Sequence, residues 1–196
     1  MLNKTLNLQR NKYKEGNMTM ATITAETIKE LRELTSCGVI ECKKALEETG
    51  GDIQKAKEVL RKRGLELAAK KGGRAATEGR IEAYIHGGAK IGVLVEVNCE
   101  TDFVSSNEDF IQFSKDVAMQ VAATNPKYIK REDIPEAELA EQADADAYAK
   151  EVCLLEQPFV KAPKQTIQDC LNELVAKIGE NIFIGRFLRY KVNEVE

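Results

Sequence analysis

Five cysteines and one histidine are the side chains whose chemistry could support a metal site or nucleophilic catalysis. The cysteines are Cys37, Cys42, Cys99, Cys153 and Cys170, and the histidine is His86. Structural zinc needs four such ligands, usually in two closely spaced pairs, and Cys37 with Cys42 has no second pair to complete it. A lone histidine also limits any His-based triad to that one residue. The sequence therefore predicts no zinc site of the usual Cys/His kind, and we interpret the cysteines as small core or surface residues. An odd number of cysteines without a secretory signal indicates reduced thiols.

The stretch from Val97 to Phe110, VNCETDFVSSNEDF, puts an aromatic ring beside a carboxylate between a predicted strand and a predicted helix. Thr101 or Asp102 could cap that helix while Phe103 folds back onto Phe110, because aromatic side chains usually bury themselves. Alternatively, Phe103 could protrude and enter a partner protein. The residue types alone leave both readings open.

The 196-residue chain has 43% hydrophobic and 31% charged residues and a net charge of -3. This composition is typical of a globular chain with one large domain or two smaller ones, and not of a disordered chain. The charge balance disfavours a protein that coats nucleic acid. No apolar run approaches the roughly 20 residues of a membrane span.

Residues 1–20 contain basic and amide residues but no apolar segment of the kind found in secretory signals. We interpret them as a disordered tail, or as an extension from an upstream start codon with the true start at Met18 or Met20. A weak organellar transit peptide is the alternative, because Lys and Arg outnumber the single Glu15.

Residues 21–64 carry three short helical patterns. Thr24 can cap the first, and Leu31 and Leu34 share one of its faces. Glycines in TSCG and ETGGD separate the patterns, and Gly64 is predicted to end the third. Three helices of this length enclose only a thin core, and such bundles usually serve as binding modules.

Residues 65–78 are predicted to be a basic helix that fades into a linker, with a domain boundary near Thr77. The basic residues in and beside this stretch are Arg61, Lys62, Arg63, Lys70, Lys71 and Arg74. They could form a solvated helix face or a patch for RNA or an acidic partner. Because no aromatic residues for base stacking are interleaved, the solvated face is favoured.

Residues 79–196 are predicted to form a core domain with an antiparallel sheet of about three strands. Alternating residues around HGGAK predict a β-hairpin, and NIFIGRFLRYKV predicts the third strand. Strict alternation along that strand would put Ile184 and Leu188 on one face, and Phe183 and Phe187 on the other. The core has no βαβ alternation and no Gly-rich phosphate loop, so direct nucleotide binding is not expected.

Helices are predicted to pack on this sheet. One begins after a capping arrangement of Ser105 with Glu108, or of Ser106 with Asp109. Another has a regular apolar stripe and is closed by Gly179. The acidic residues between them predict one mostly exposed helix, followed by an extended connector, QPFVKAPK.

Several segments together resemble the elongation factor Ts family, the guanine-nucleotide exchange factors of bacterial-type translation. In order, they are LRELTSCGVIECKKALEETGGDIQKA, EGRIEAYIHGG, VEVNCETDFVSSNEDF, LLEQPFVKAPKQTI and KIGENIFIGRFLRY. The match covers nearly everything from Met20 to the C-terminus, and is far more specific than a single short motif. It implies an α+β protein with an N-terminal three-helix module of the ubiquitin-associated type, residues 21–64, before the core domain, residues 79–196.

The resemblance implies a non-enzymatic role in protein biosynthesis. The expected activity is guanine-nucleotide exchange on the GTPase elongation factor Tu, in a bacterial cytoplasm rather than an organelle. In this family the segment matching Thr101, Asp102, Phe103 and Val104 enters the partner near its magnesium site. The matching aromatic ring acts there as a wedge.

A second partner contact is implied at Gly38, Val39 and Ile40 in the N-terminal module. Many family members have Ala-Gly-Met-Met where this chain has Cys37 followed by those three residues. The apolar character persists, but the flexible thioethers are lost. The alternative for Val39 and Ile40 is a helix start with one of the two residues buried.

With strands for one sheet only, the chain resembles the short form of the family. Short members are homodimers, so we expect a homodimer through the open sheet face, including parts of Ile182 to Val192, and a heterotetramer with two copies of elongation factor Tu. No cofactor, metal ion, membrane or nucleic acid is expected.

Two rival functions differ in class from an exchange factor. The three-helix module could belong to a ubiquitin- or peptide-binding adaptor. Alternatively, Cys37 and Cys42 could serve a thiol oxidoreductase, although their spacing is not Cys-x-x-Cys.

Overall fold

A computed structural model describes residues 23–35 and 37–194, and the predicted tail of residues 1–20 lies outside this range. The described residues have the predicted α+β fold, with helices packed against a small antiparallel sheet. The chain divides after Leu60 into two compact units. The predicted domain boundaries at residues 64 and 78 stay predictions.

The first unit contains helices α1, α2 and the beginning of α3. Their bounds are Ala25–Thr35, Val39–Glu48 and Ile53–Lys71. Thr24 caps α1 as predicted, since its hydroxyl accepts a hydrogen bond from the Thr27 backbone N–H at 3.2 Å. The buried core of this unit consists of Leu31, Cys42, Ala45, Leu46, Ala56 and Leu60.

The predicted helix end at Gly64 is wrong, because α3 continues to Lys71. Good helix formers follow the glycine and propagate the helix past it. Gly64 is buried, and a β-carbon there would meet the Ala176 side chain at 3.4 Å. The Lys71 ammonium then donates a hydrogen bond to the Gly179 backbone carbonyl.

The second unit is built on a three-stranded sheet of β1 (Glu78–Ile85), β2 (Ile91–Cys99) and β5 (Phe183–Lys191). The strand order is β1-β2-β5 with both pairings antiparallel, as predicted. A glycine-containing turn closes the predicted hairpin, with a 2.9 Å hydrogen bond from the His86 N–H to the Ile91 carbonyl.

The described part of this unit also contains five α-helices and a small β-hairpin. They are α4 (Asp102–Ser105), α5 (Glu108–Thr124), α6 (Glu136–Ala140), α7 (Ala145–Val152), β3 (Pro158–Phe159), β4 (Ala162–Thr166) and α8 (Ile167–Ile178). Helix α5 packs on β1 and β2, and α8 packs on α5. The core between these layers is apolar, with Val95, Val97, Phe110, Val117 and Val121 fully buried.

The helix starts show which caps the sequence uses. Helix α5 is capped by Asn107, whose side chain accepts from the Asp109 N–H at 2.9 Å, so the predicted caps at Ser105 and Ser106 are wrong. The asparagine carbonyl reaches the exposed backbone N–H groups as well as a serine hydroxyl would. Helix α8 ends at Gly179 as predicted, with a left-handed φ of 86°.

The acidic segment forms two short helices instead of the single one predicted. Asp144 interrupts it by capping α7, since its carboxylate accepts from the Asp146 and Ala147 N–H groups at 3.0 Å. The predicted extended connector does contain extended residues, but these pair with each other as β3 and β4.

The predicted faces of the third strand are wrong because β5 contains a bulge at Gly185. Glu96 pairs with Arg186, whereas the next residue, Val97, pairs with Ile184. A β-carbon at Gly185 would lie 2.5 Å from the Asn98 side-chain oxygen, which explains the glycine.

The extra residue in the bulge reverses the side of the sheet on which each later side chain of β5 lies. Ile184 and Phe187 consequently both face the core, while Phe183 and Leu188 are exposed.

Candidate partner-binding sites

Phe103 protrudes from the first turn after the central strand. Its side chain is 84% exposed, whereas the next residue, Val104, is 9% exposed and belongs to the core. Successive residues of a helix point about 100° apart, so a single turn can bury one side chain and expose its neighbour. The alternative in which Phe103 folds onto Phe110 is wrong, because Phe110 is fully buried and Phe103 is not.

Asp102 starts α4 and is exposed next to Phe103. Its backbone carbonyl accepts a 2.7 Å hydrogen bond from the Ser105 hydroxyl, which closes the turn. The Asp102 carboxylate and the Phe103 ring are therefore both exposed in the same helical turn. An exposed acid beside an exposed aromatic can contact a cation site and an apolar cleft of the same partner.

Thr101 is held by a residue far away in the sequence. Its hydroxyl donates to Oε1 of Glu180 at 2.7 Å, and its N–H donates to Oε2 at 3.1 Å. The Glu100 N–H donates to the same Oε2, also at 3.1 Å. Sequence reasoning missed Glu180, because an acidic residue after a helix-ending glycine is typical of an ordinary turn.

Cys99 lies beneath this segment at the end of β2. It is fully buried, and its thiol donates to the Thr101 carbonyl at 3.1 Å. Burial, reinforced by the nearby Glu180 carboxylate, raises the pKa of the Cys99 thiol to about 11. The thiol is therefore a protonated structural group at neutral pH.

The second predicted contact lies in the first unit. Gly38 precedes α2 in an extended conformation and supplies no side-chain cap. Val39 and Ile40 are 52% and 69% exposed, so the alternative in which one of them is buried is wrong. Leu34 is also exposed, although the periodicity of α1 put it on the face of the buried Leu31. This leucine is an apolar surface residue that sequence reasoning assigned to the core.

The outer face of the three-stranded sheet is a third apolar surface. Its exposed apolar side chains are Ile81, Ile85, Leu94, Leu188 and Tyr190. Ile81, Leu94 and Leu188 line a hollow of about 330 Å³ together with Glu96 and Arg186.

An ion pair borders this hollow, with Glu96 and Arg186 2.7 Å apart. Two interactions lower the pKa of the Glu96 carboxyl. The larger contribution is a hydrogen bond from Asn98, and the second is the pairing with Arg186. The hollow therefore combines apolar side chains with a pair of opposite charges.

The remaining chemical candidates are not assembled into sites. Cys42 is buried, with its sulfur 3.8 Å from the Cys37 backbone carbonyl, and the five cysteines are thiols and not disulfides. Within residues 23–35 and 37–194, no cluster of acidic, cysteine and histidine side chains could hold a metal ion.

In the predicted basic patch, Arg61 pairs with Asp169 and Arg74 pairs with Glu100. None of the described helices is long and apolar enough to cross a membrane.

Comparison with known proteins gives the class of this protein. A family model described as "Elongation factor TS" matches residues 11–147. Such a match puts the chain among the translation elongation factors of protein biosynthesis.

Individual relatives extend this match over most of the chain. Elongation factor Ts of Carboxydothermus hydrogenoformans is 49% identical, over 88% of this chain and 90% of the relative. The protein of the same name from Caldanaerobacter subterraneus subsp. tengcongensis is 48% identical over 88% of this chain and 98% of its own length. The chain therefore belongs to the elongation factor Ts family.

Proposed function

We propose that this protein is a guanine-nucleotide exchange factor for elongation factor Tu. It binds the GDP-loaded GTPase, disturbs the magnesium and phosphate site, and promotes GDP release so that GTP can bind. Membership of the elongation factor Ts family supports the partner. The observation that carries the mechanism is the exposed Phe103 on a turn whose neighbouring residue is anchored in the core.

Exchange of this kind requires no bond to be made or broken. A protein that binds the nucleotide-free GTPase more tightly than the GDP-loaded form must weaken GDP binding by the same factor. Each tenfold weakening takes about 1.4 kcal/mol of differential binding. The contacts that matter are therefore those formed only when the nucleotide site is open.

Thr101, Asp102, Phe103 and Val104 divide this task. Phe103 enters the GTPase as an apolar wedge, and Asp102 approaches the magnesium ion or its ligands. Thr101 and Val104 fix the turn, the first through its hydrogen bonds to Glu180 and the second through burial. The ring supplies the displacement, because an exposed carboxylate is screened by water until the interface closes.

Gly38, Val39 and Ile40 supply affinity from the first unit. Two adjacent exposed apolar side chains favour burial against a partner. Gly38 adds no side chain of its own, which leaves the helix start open to a close approach. This contact holds the two proteins together and does not itself open the nucleotide site.

The exchange factor acts as a homodimer that binds two copies of elongation factor Tu in the bacterial cytoplasm. The apolar outer face of the sheet supports this assembly, because a two-fold contact would cover it. Light scattering at tens of micromolar should give twice the chain mass of 21.8 kDa. The Leu188→Lys variant should give the single mass, and a monomeric wild type would refute the dimer.

The decisive experiment measures release of mantGDP from elongation factor Tu with and without this protein. Wild type should accelerate release, and Phe103→Ala should lose most of that acceleration at saturating concentration. Val160→Ala is the matched control, since Val160 is another exposed apolar residue of the second unit. Equal acceleration by wild type and Phe103→Ala would refute the wedge, and no acceleration by wild type would refute the proposed function.

A further inference from the structure

Glu100 follows β2, and Glu180 precedes β5. The carboxylate of each accepts hydrogen bonds from backbone N–H groups in the segment of the other. Glu180 accepts from the backbone N–H groups of Glu100 and Thr101, and Oε1 of Glu100 accepts from the Asn181 N–H at 2.6 Å. Each carboxylate therefore caps the backbone of the other segment. Hydrogen bonds to an ionised acceptor are roughly twice as strong as neutral ones.

The connection after α3 is tied into the same network. The guanidinium of Arg74 lies 3.6 Å from Glu100, and the Asn181 side-chain amide donates to the Arg74 carbonyl at 2.7 Å. Asn181 is buried, with 6% of its surface exposed. Two other chain segments, at Arg74 and at Glu180 with Asn181, thus converge on the two residues immediately before α4.

Helix α4 cannot set its own orientation. It has four residues, which is far below the length at which an isolated helix persists in water. Thr101 stands in the capping position with φ of -130° and ψ of 155°, but its side chain makes no cap hydrogen bond. The hydroxyl is committed to Glu180 instead. The direction in which Phe103 leaves the surface is therefore fixed from outside the helix.

We propose that Glu180 is a positioning residue for exchange. It holds Glu100 and Thr101 so that Phe103 is presented to the GTPase in one orientation. This inference rests on the proposed function. Preorganisation of this kind removes the ordering cost that a mobile turn would incur on entering the partner.

The expected kinetic signature is a loss of maximal rate and not of affinity. Glu180→Ala should lower the saturating rate of mantGDP release by about tenfold, the factor equivalent to one charge-assisted hydrogen bond. The half-saturating concentration should change less than about twofold, because the apolar contacts that give affinity remain. Glu180→Gln keeps one acceptor oxygen and should fall between Glu180→Ala and wild type.

A double-mutant cycle separates positioning from simple stabilisation. If Glu180 acts through the ring, Glu180→Ala should have almost no further effect on release in a Phe103→Ala background. Asp169→Ala is the matched control, because it removes a carboxylate that accepts hydrogen bonds from Thr166 at the other end of α8 and pairs with Arg61, and it leaves Glu100 and Thr101 untouched. This control should lower the melting temperature without changing the rate at a permissive temperature.

Amide hydrogen exchange of the free protein gives a readout that does not depend on the partner. The Glu100 and Thr101 amides should be protected in wild type and in Asp169→Ala, and should lose protection in Glu180→Ala. Unchanged protection in Glu180→Ala, or additive effects in the cycle, would overturn the positioning role. A wild type that fails to accelerate release refutes the proposed function, while lost amide protection would still establish that Glu180 holds this segment.

Discussion

The two apolar sites that we propose contact elongation factor Tu differ in how the chain supports them. Phe103 lies on the four-residue helix α4. The two residues before this helix, Glu100 and Thr101, are hydrogen-bonded to Glu180, about 80 residues away in the sequence. Val39 and Ile40 lie on the first turn of a ten-residue helix that makes no side-chain cap at Gly38. One site is held by long-range hydrogen bonds, and the other by its own helix.

This difference corresponds to two different roles at an interface with a partner protein. A wedge must keep its direction while it displaces groups of the partner, so it gains from rigid support. A contact that supplies affinity can adapt, and burial of its apolar surface is sufficient. We therefore expect substitutions at Phe103 to act on the rate and substitutions at Val39 and Ile40 to act on the concentration dependence.

The largest expected effect is the contrast between Phe103→Ala and Phe110→Ala. The first should reduce the saturating rate of GDP release at least about tenfold and leave the free energy of unfolding within about 0.5 kcal/mol of wild type. Phe110 is fully buried, so Phe110→Ala should lower the free energy of unfolding by about 3–5 kcal/mol. Denaturant melts and mantGDP release on the same preparations decide the matter. A Phe103→Ala protein that is strongly destabilised but exchanges normally would mean that Phe103 is a packing residue.

The helices and strands that carry these two sites could be predicted from the sequence better than the contacts that hold the sites in place. Three helices, a hairpin, a third strand and the helix closed by Gly179 all follow from local periodicity and turn residues. The extra residue at Gly185 does not, because a bulge depends on how Asn98 crowds the neighbouring strand. It alone reverses the faces on which Leu188 and Phe187 were expected.

The candidate site at Phe103 could likewise be predicted from the sequence only in part. The residue types of Asp102 and Phe103 draw attention to the turn, but the exposure of the ring depends on Val104 being the residue that the core accepts. The link from Glu180 to Thr101 joins residues with no periodic or motif relation to each other. Long-range hydrogen bonds of this kind carry no local signal in a single sequence.

The next effect in size tests the first unit. The double variant with Val39→Ala and Ile40→Ala should raise the half-saturating concentration roughly tenfold, equivalent to about 1.4 kcal/mol of lost burial. The saturating rate should stay close to that of wild type. Leu46→Ala is the control for folding, because Leu46 is buried in the same unit and its loss should appear in the melting curve. A lower saturating rate in the double variant, with no shift in half-saturation, would reverse the roles given to the two sites.

A smaller effect is expected at Asp102. Asp102→Asn keeps the shape of the side chain and removes its charge, so it should slow exchange only a few-fold, about 1 kcal/mol or less. The effect should shrink as magnesium is removed from the assay, if the carboxylate acts on the metal or its ligands. Release rates across a magnesium titration provide the measurement. An effect equal to that of Phe103→Ala would mean that charge, and not the ring, displaces the nucleotide.

The smallest effect concerns Cys99, which reports how rigidly the turn is held. Burial raises the pKa of its thiol to about 11, from about 9 in the unfolded chain, so almost none of it is thiolate at pH 8. Iodoacetamide at pH 8 should therefore label Cys99 only after unfolding, and peptide mass spectrometry can compare native with denatured protein. Labelling of Cys99 at similar rates in both states would show that the segment before α4 opens freely.

The same raised pKa has a consequence for stability in alkaline solution. Because the folded state resists loss of the Cys99 proton, its contribution is fully present below pH 9 and is lost as the pH rises from about 9 to about 11. Denaturant unfolding across this window should show a steeper decline for wild type than for Cys99→Ala, which has no proton to lose at that position. An equal decline in both proteins would mean that other groups set the alkaline limit. A difference between them would instead show that ionisation of the Cys99 thiol contributes to the loss of stability in alkaline solution.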